Sequence, residues 1–325
     1  MTSRTIAGYS VSVRLCPLLF TALLIFSSVA SAEEGTVIPF QPPSSIGVQF
    51  RSQSPALFEG AILPHFLILK SRTLSGDPEN AHRWSLLFTP AIRVRMMHGP
   101  GDPVRSPSYM PRVDFQKLFV HDHGYSVNVW EWHAGIGHHS NGQNGCLFAD
   151  QTSVDGTCVP RTDTGDPENR PVSYRNGGFS TNDLRGGFNF RRNLVNRDGQ
   201  TTKDWSAGLE YQRQFRTDPD LKPVYTQNRL NGSIALSWKD LLWTSRLRTE
   251  MAVGIAIDQP LKKVARWSFN PQVAWFPWSQ SGLGLFVRLY HGQDYYNIRF
   301  SDNIPHRIQI GVEFEQDGFL KFKPR

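Results

Sequence analysis

The segment Gly137-His138-His139-Ser140-Asn141-Gly142 places a base beside a nucleophile. His138 and Ser140 are two positions apart, so on an extended backbone they share a face. A neutral imidazole can accept the serine proton during attack and return it to the leaving alcohol. Such a base needs a third group to hold its tautomer, and Ser180-Thr181-Asn182-Asp183-Leu184-Arg185 offers two. Asn182 has the parity of Leu184, Gly186, Phe188 and Phe190, an apolar face. Asp183 is the more familiar triad partner, but it has the parity of Arg185, Asn189 and Arg191, a polar face. Asn141-Gly142 by itself is a turn signal.

A metal reading of the histidines is weaker. His121, His123, His133, His138 and His139 fall within 19 residues, but His133 and His138 have opposite parity, and no acid completes a zinc set. His121-Asp122-His123 reads as a solvated turn.

The elements that must position these residues are strands. Helical periodicity is nearly absent, while alternation with period two recurs along the chain. Trp84, Leu86, Phe88, Pro90, Ile92, Val94 and Met96 share one parity; Trp205, Ala207, Leu209 and Tyr211 alternate with Ser206, Gly208, Glu210 and Gln212. Ser245 to Ile255, Ala265 to Trp275 and Ile308 to Phe314 repeat the pattern. About twelve strands result, near 45–52, 61–71, 82–97, 109–120, 124–138, 180–191, 203–216, 229–238, 243–256, 264–276, 282–292 and 305–315. The first and fourth have the faintest patterns.

A soluble sandwich would turn the apolar face inward; a membrane barrel would turn it toward lipid and fill its lumen with the polar face. These strands run to about ten residues, beyond the soluble mode of about 5–6, with Trp and Tyr near their ends. The expectation is therefore an all-β fold, a transmembrane antiparallel β-barrel of about 12 strands. On that reading His138, Ser140 and Asn182 sit on the lipid face near the outer rim, where polar groups are costly and usually functional. The Pro- and Gly-rich arm 33–44 is expected outside the barrel wall, and 143–178 is the one long insertion, an outer loop.

The remaining composition fits export. Arg4 and Arg14, the apolar run Leu15 to Val29 and Ala30-Ser31-Ala32 read as a signal peptide, 1–32, leaving a barrel domain, 33–325. Beyond it no run of 18 apolar residues occurs, and mean hydropathy is −0.38, which excludes a helical membrane protein. Of three cysteines, Cys16 leaves with the signal; Cys146 and Cys158 then most simply form one loop disulfide in an oxidising compartment. The mature chain keeps 33 basic and 28 acidic residues, net +5, with no basic block or nucleic-acid-binding motif.

The Gly-His-x-Ser-Asn-Gly segment resembles the active-site motif of the outer membrane phospholipase A family. So do, more thinly, Ser180-x-Asn182-x-Leu184, Ser106-Pro107 to Phe119, and Tyr290-x-Gly292 to Phe314. The resemblance spans about residues 82–315 and implies a twelve-stranded bacterial outer-membrane barrel that hydrolyses acyl esters of phospholipids. It implies His138 as base, Ser140 as nucleophile, Asn182 as orienting residue and the Gly142 N–H in the oxyanion hole. It also implies an active homodimer and a calcium ion held by the Gln143 main-chain carbonyl and by Ser106 of the partner. This chain departs from the family pattern in its longer loop between Gly142 and Asn182, where Asn176 is a rival third member; in Asp183, where the family has Arg; and in Arg105, which stands where the family's loop serine is expected. The alternative function is a non-catalytic barrel, a pore or scaffold that keeps a degenerate motif.

Overall fold

The computed structural model describes residues 40–50, 56–71, 80–97, 104–160, 170–174, 176–195, 201–240, 245–278, 282–295 and 300–315. The expected signal peptide, 1–32, and the tail 316–325 lie outside the described residues.

No helix occurs among the described residues. The strands are β1 (Ser44–Phe50), β2 (Ala56–Ile62), β3 (Phe66–Lys70), β4 (Asn80–Met97), β5 (Val104–Asp122) and β6 (Ser126–Ser140). A small hairpin follows, β7 (Gln151–Val154) and β8 (Thr157–Pro160). The wall resumes with β9 (Ser180–Val195), β10 (Thr201–Phe215), β11 (Asn228–Lys239), β12 (Arg246–Ala256), β13 (Trp267–Phe276), β14 (Leu283–Gln293) and β15 (Asn303–Phe314). Each wall strand pairs antiparallel with its neighbours, β1 pairs with β15, and β2 pairs with both β1 and β4. The sheet therefore closes. β2 and β3 lie end to end along β4 and make one interrupted stave, so the barrel has twelve. Their interruption, Leu63-Pro64-His65, falls opposite Pro90, which has no N–H to give to a ladder.

The alternation settles which way each face points. Trp130, Trp132 and Ile136 on β6, Leu184 and Phe188 on β9, and Val273, Leu285 and Val287 further round are exposed on the outside. Inside are charges: Glu59 bonds Arg95 at 2.6 Å and Arg307 at 3.2 Å, Asp183 bonds Arg185 at 2.6 Å, and Glu313 bonds Arg248 at 2.8 Å. An apolar exterior around a polar interior inverts the order of a soluble protein. It is the build of a barrel spanning the outer membrane, where closure leaves no unpaired strand edge in lipid.

Two expectations change. The fourth sequence stave, faint in pattern, is β5, the longest strand at 19 residues. Pro107 and Pro111 blur its pattern but do not break it. The arm, expected outside the wall, runs inside it at its described end. Phe40 packs on Leu118, Val120, Val127 and Val129; Gln41 accepts a bond from Arg112 at 3.1 Å; and the Pro42 carbonyl accepts one from His65 at 3.0 Å. The lumen face of β5 and β6 carries this apolar patch near its inner end, and Phe40 covers it.

β6 runs outward and β9 returns, so the 141–179 connection caps the outer mouth. Leu147, Phe148 and Phe179 join Leu221, Val224 and Tyr225, Leu261 and Val264, and Tyr295 and Phe300 in one buried cluster drawn from four outer connections. Cys146 and Cys158 are bonded, with Cα atoms 5.5 Å apart, and tie the β7–β8 hairpin to this cap.

Candidate active site

The β6–β9 seam pairs His138 directly with Asn182, and Ser140 with Ser180. The His138 Nδ1 lies 3.0 Å from the Asn182 Oδ1. An amide oxygen only accepts, so Nδ1 carries the proton and Nε2 keeps its lone pair. Ser140, two residues on, has its Cα roughly 7 Å from that of His138 on the same face. Both residues are half-buried at the top of the outward stripe of Trp130, Trp132 and Ile136. The arrangement sets a hydroxyl, an imidazole with an available Nε2 lone pair and an amide oxygen at the rim of an apolar belt, groups that could serve as nucleophile, base and tautomer-fixing acceptor.

On its other side β6 is less tightly held. Tyr109 of β5 pairs with Ser140 and Arg112 pairs with Gly137, but no pairing joins the positions between them. Pro111 stands there without an N–H, so His138 takes its place mainly from β9. Tyr109 is exposed and is the cross-strand neighbour of Ser140.

His139 shows the alternation at its sharpest. It points inward, is buried, bonds the Tyr225 hydroxyl at 3.1 Å and meets the Phe179 ring edge-on. One histidine of the pair thus belongs to the rim and the other to the cap. Asn141 ends the strand. Its buried amide donates to the Gly177 carbonyl at 2.7 Å and accepts from the Phe179 N–H at 3.2 Å. Gly142 follows with φ +66°, a left-handed turn that glycine adopts at little cost.

The other sequence candidates are scattered. Asp183 is buried in the lumen on Arg185, away from His138. Asn176 lies in the outer loop, its carbonyl against Gly145. His121 and His123 border a periplasmic turn where Asp122 accepts the Gly124 N–H at 2.8 Å. His133 faces the lumen between Glu131 and Glu210. Ser106 sits where the β4–β5 register shifts, between the Arg93–Ser108 and Arg95–Arg105 pairings. The Gln143 carbonyl is turned onto Gly178, where an added Cβ would meet it at 2.3 Å. Among the described residues no three His, Cys, Asp or Glu side chains gather as a metal would need.

One residue near the site left no sequence signal. Asp218, in the outer connection 216–227, accepts the Ser180 N–H at 2.7 Å and donates its own N–H to the Ser180 carbonyl at 3.1 Å. Burial pushes its carboxyl up; the Ser180 N–H opposes this, Asp220 adds to it, and the nearby His138 opposes it.

The class defined by fold and site is a closed twelve-stranded membrane barrel with a Ser-His-Asn array facing lipid. No family model matches the chain, and no curated protein matches it. Solved structures similar to it include outer membrane phospholipase A from Escherichia coli, at 12% identity, covering 90% of this chain and 97% of that one, with a TM-score of 0.48. The calcium-bound dimer of the outer membrane phospholipase from Salmonella typhi is also 12% identical, covering 90% and 96%, with a TM-score of 0.47. LpxR from Salmonella typhimurium is 7% identical, covering 80% and 89%, at 0.35. At these values the likenesses do not carry a functional argument, which rests on the site.

Proposed function

We propose that the chain is an outer-membrane esterase that hydrolyses acyl ester bonds of phospholipids in the outer leaflet. The observation that carries this reading is the 3.0 Å contact between His138 Nδ1 and Asn182 Oδ1 on the lipid side of the wall, with Ser140 on the same face. A hydrogen-bonded polar array facing hydrocarbon has no purpose in stability and a clear one in chemistry on lipid.

In this mechanism Ser140 Oγ attacks the ester carbonyl while His138 Nε2 takes its proton. The imidazolium then protonates the leaving lysolipid alcohol, and the acyl group stays on Ser140 until water, deprotonated by the same nitrogen, releases it. Asn182 holds the ring throughout. The main-chain N–H of Gly142, fixed by its left-handed turn, is the donor we assign to the developing oxyanion. Trp132, Ile136, Leu184 and Phe188 supply the apolar surface for an acyl chain.

A single barrel offers that chain one wall. Pairing two such faces would make a cleft, so the active form in this reading is a homodimer. Calcium belongs to that state: Gln143 of one copy and Ser106 of the other are the assigned oxygen donors, and the ion would add positive charge near the oxyanion. The Gln143 carbonyl must first turn away from Gly178. The signal peptide, 1–32, delivers the chain across the inner membrane.

Release of fatty acid from phospholipid vesicles tests the reading. Hydrolysis should require Ser140, fall on chelation of calcium and rise with crosslinkable dimer. Chelator-resistant activity in a strict monomer would remove calcium and pairing from the account and leave the triad. The alternative, a pore, is disfavoured by a lumen holding buried ion pairs and residues 40–43 beneath the outer cap.

A further inference from the structure

An amide orients an imidazole but gives the imidazolium no charge to face. In a Ser-His-Asn array that leaves the cation formed at the transition state without an anion. Asp218 stands in the right place to fill the gap. Its two bonds to Ser180 fasten the 216–227 connection to β9 two residues from Asn182, at the level of the Ser140–Ser180 pair. The carboxylate is thereby held on the far side of β9 from β6, about two strand spacings, ~10 Å, from His138.

We propose that Asp218 is a positioning residue of the hydrolytic site, acting through space to stabilise the His138 imidazolium while its backbone clip holds the outer end of β9. The inference rests on the esterase reading and deepens it. Other charged and titratable groups at this end of the wall are Tyr109, paired with Ser140 from β5, Arg213 on β10, and Arg216, Asp220 and Lys222 in the connection itself, while His139 of β6 points the other way onto Tyr225. Of the two acids, Asp218 bonds β9, whereas Asp220 accepts from Gln151 at 2.9 Å. Asp218 therefore has the fixed geometry on the site side, and Asp220 is a control of equal charge in the same connection.

The test is the pH dependence of kcat/KM for wild type, Asp218→Asn and Asp220→Asn in lipid vesicles. Asparagine keeps an oxygen for the Ser180 N–H and removes only the charge. A lone charge about two strand spacings, ~10 Å, away in a medium of intermediate dielectric shifts a titration by about 0.5–1 pH unit. Removing an anion disfavours the protonated ring, so the acid limb of Asp218→Asn should move down by about that amount. kcat should fall about 3–10-fold, the same free energy lost at the transition state. KM should stay within about twofold. Asp220→Asn should shift the limb less, and Asp218→Glu should restore it even where the shorter contact is strained. Superimposable profiles for wild type and Asp218→Asn, with hydrolysis still dependent on Ser140, overturn this inference alone. Equal shifts in Asp218→Asn and Asp220→Asn overturn it as well. Hydrolysis indifferent to Ser140→Ala overturns the esterase reading and this inference together.

Discussion

His138 and Asn182 face each other across the β6–β9 seam, imidazole Nδ1 to amide Oδ1 at 3.0 Å, on the side of the wall that meets lipid. They are 44 residues apart in sequence, and the whole capping connection lies between them. Their contact depends on register: a slip of one residue would bring Asp183 or Thr181 opposite His138 and turn the pair to different faces.

Ser140→Ala should keep the heat-resistant barrel and lose fatty-acid release by ~10³-fold or more, because the nucleophile and its base act as a unit. The check is vesicle hydrolysis alongside heat-modifiable mobility in gels. Wild-type turnover in this variant would refute Ser140 as nucleophile.

Asn182→Ala and Asp183→Ala should separate chemistry from stability. The first removes the tautomer-holding acceptor, and turnover should drop by about 10–100-fold with the fold intact. The second leaves Arg185 without its 2.6 Å partner in the lumen and should cost about 3 kcal/mol of stability with activity nearly unchanged below the new melting point. Thermal unfolding and turnover, measured on both variants, decide it. The reverse pattern would mean that Asp183, not Asn182, serves His138.

Gly178→Ala should damage the site without touching it. A Cβ there would stand 2.3 Å from the Gln143 carbonyl oxygen, 2.9 Å from its carbon and 3.1 Å from the Gly145 oxygen, all main chain. The turn after Ser140 must shift, and a displacement near 1 Å lowers turnover by on the order of 10–100-fold. Gly60→Ala, whose nearest neighbour would be 3.8 Å away, should have no effect. Equal turnover in the two variants would show that the turn bearing Gly142 takes no part in catalysis.

Replacing Cys146 and Cys158 by Ser should loosen the cap and spare the barrel. The bond closes a loop of 12 positions, worth about 3 kcal/mol to the local fold. Limited proteolysis should nick 151–160 much faster than in wild type, with unchanged heat-resistant mobility. Equal protection with and without the bond would show that the buried cluster around Phe148 holds the cap unaided.

Much of this protein is legible in one dimension because a strand has period two. Trp130, Trp132, Ile136, His138 and Ser140 must share a face wherever the strand goes, and so must Asn182, Leu184 and Phe188. The outward face follows from the same local reading, and the pairing of Cys146 with Cys158 from the count of two cysteines left once Cys16 is gone; strand ends do not, since 109–120 is Val104–Asp122 and 61–71 is the broken stave Ala56–Ile62 and Phe66–Lys70. β5 was faint because Pro107 and Pro111 interrupt its pattern, although an antiparallel pair tolerates proline where no ladder donor is needed. The path of Phe40–Pro43 into the lumen left no trace, because a short apolar arm has the same composition inside or outside a wall.

What the tertiary structure alone decided is register and depth. Period two assigns Asn182 a face but not a partner; only the β6–β9 ladder sets it against His138 and not a neighbour along the stripe. His138 and His139 are equivalent as letters, and the closed sheet sends one to lipid and the other to Tyr225. Asp218 comes to Ser180 from 38 positions away through a connection with no periodicity to read. Sequence alone determines which side of a strand a residue occupies, because that is local geometry. Which residues meet across strands depends on how the sheet closes, because closure is set by every pairing in the barrel at once.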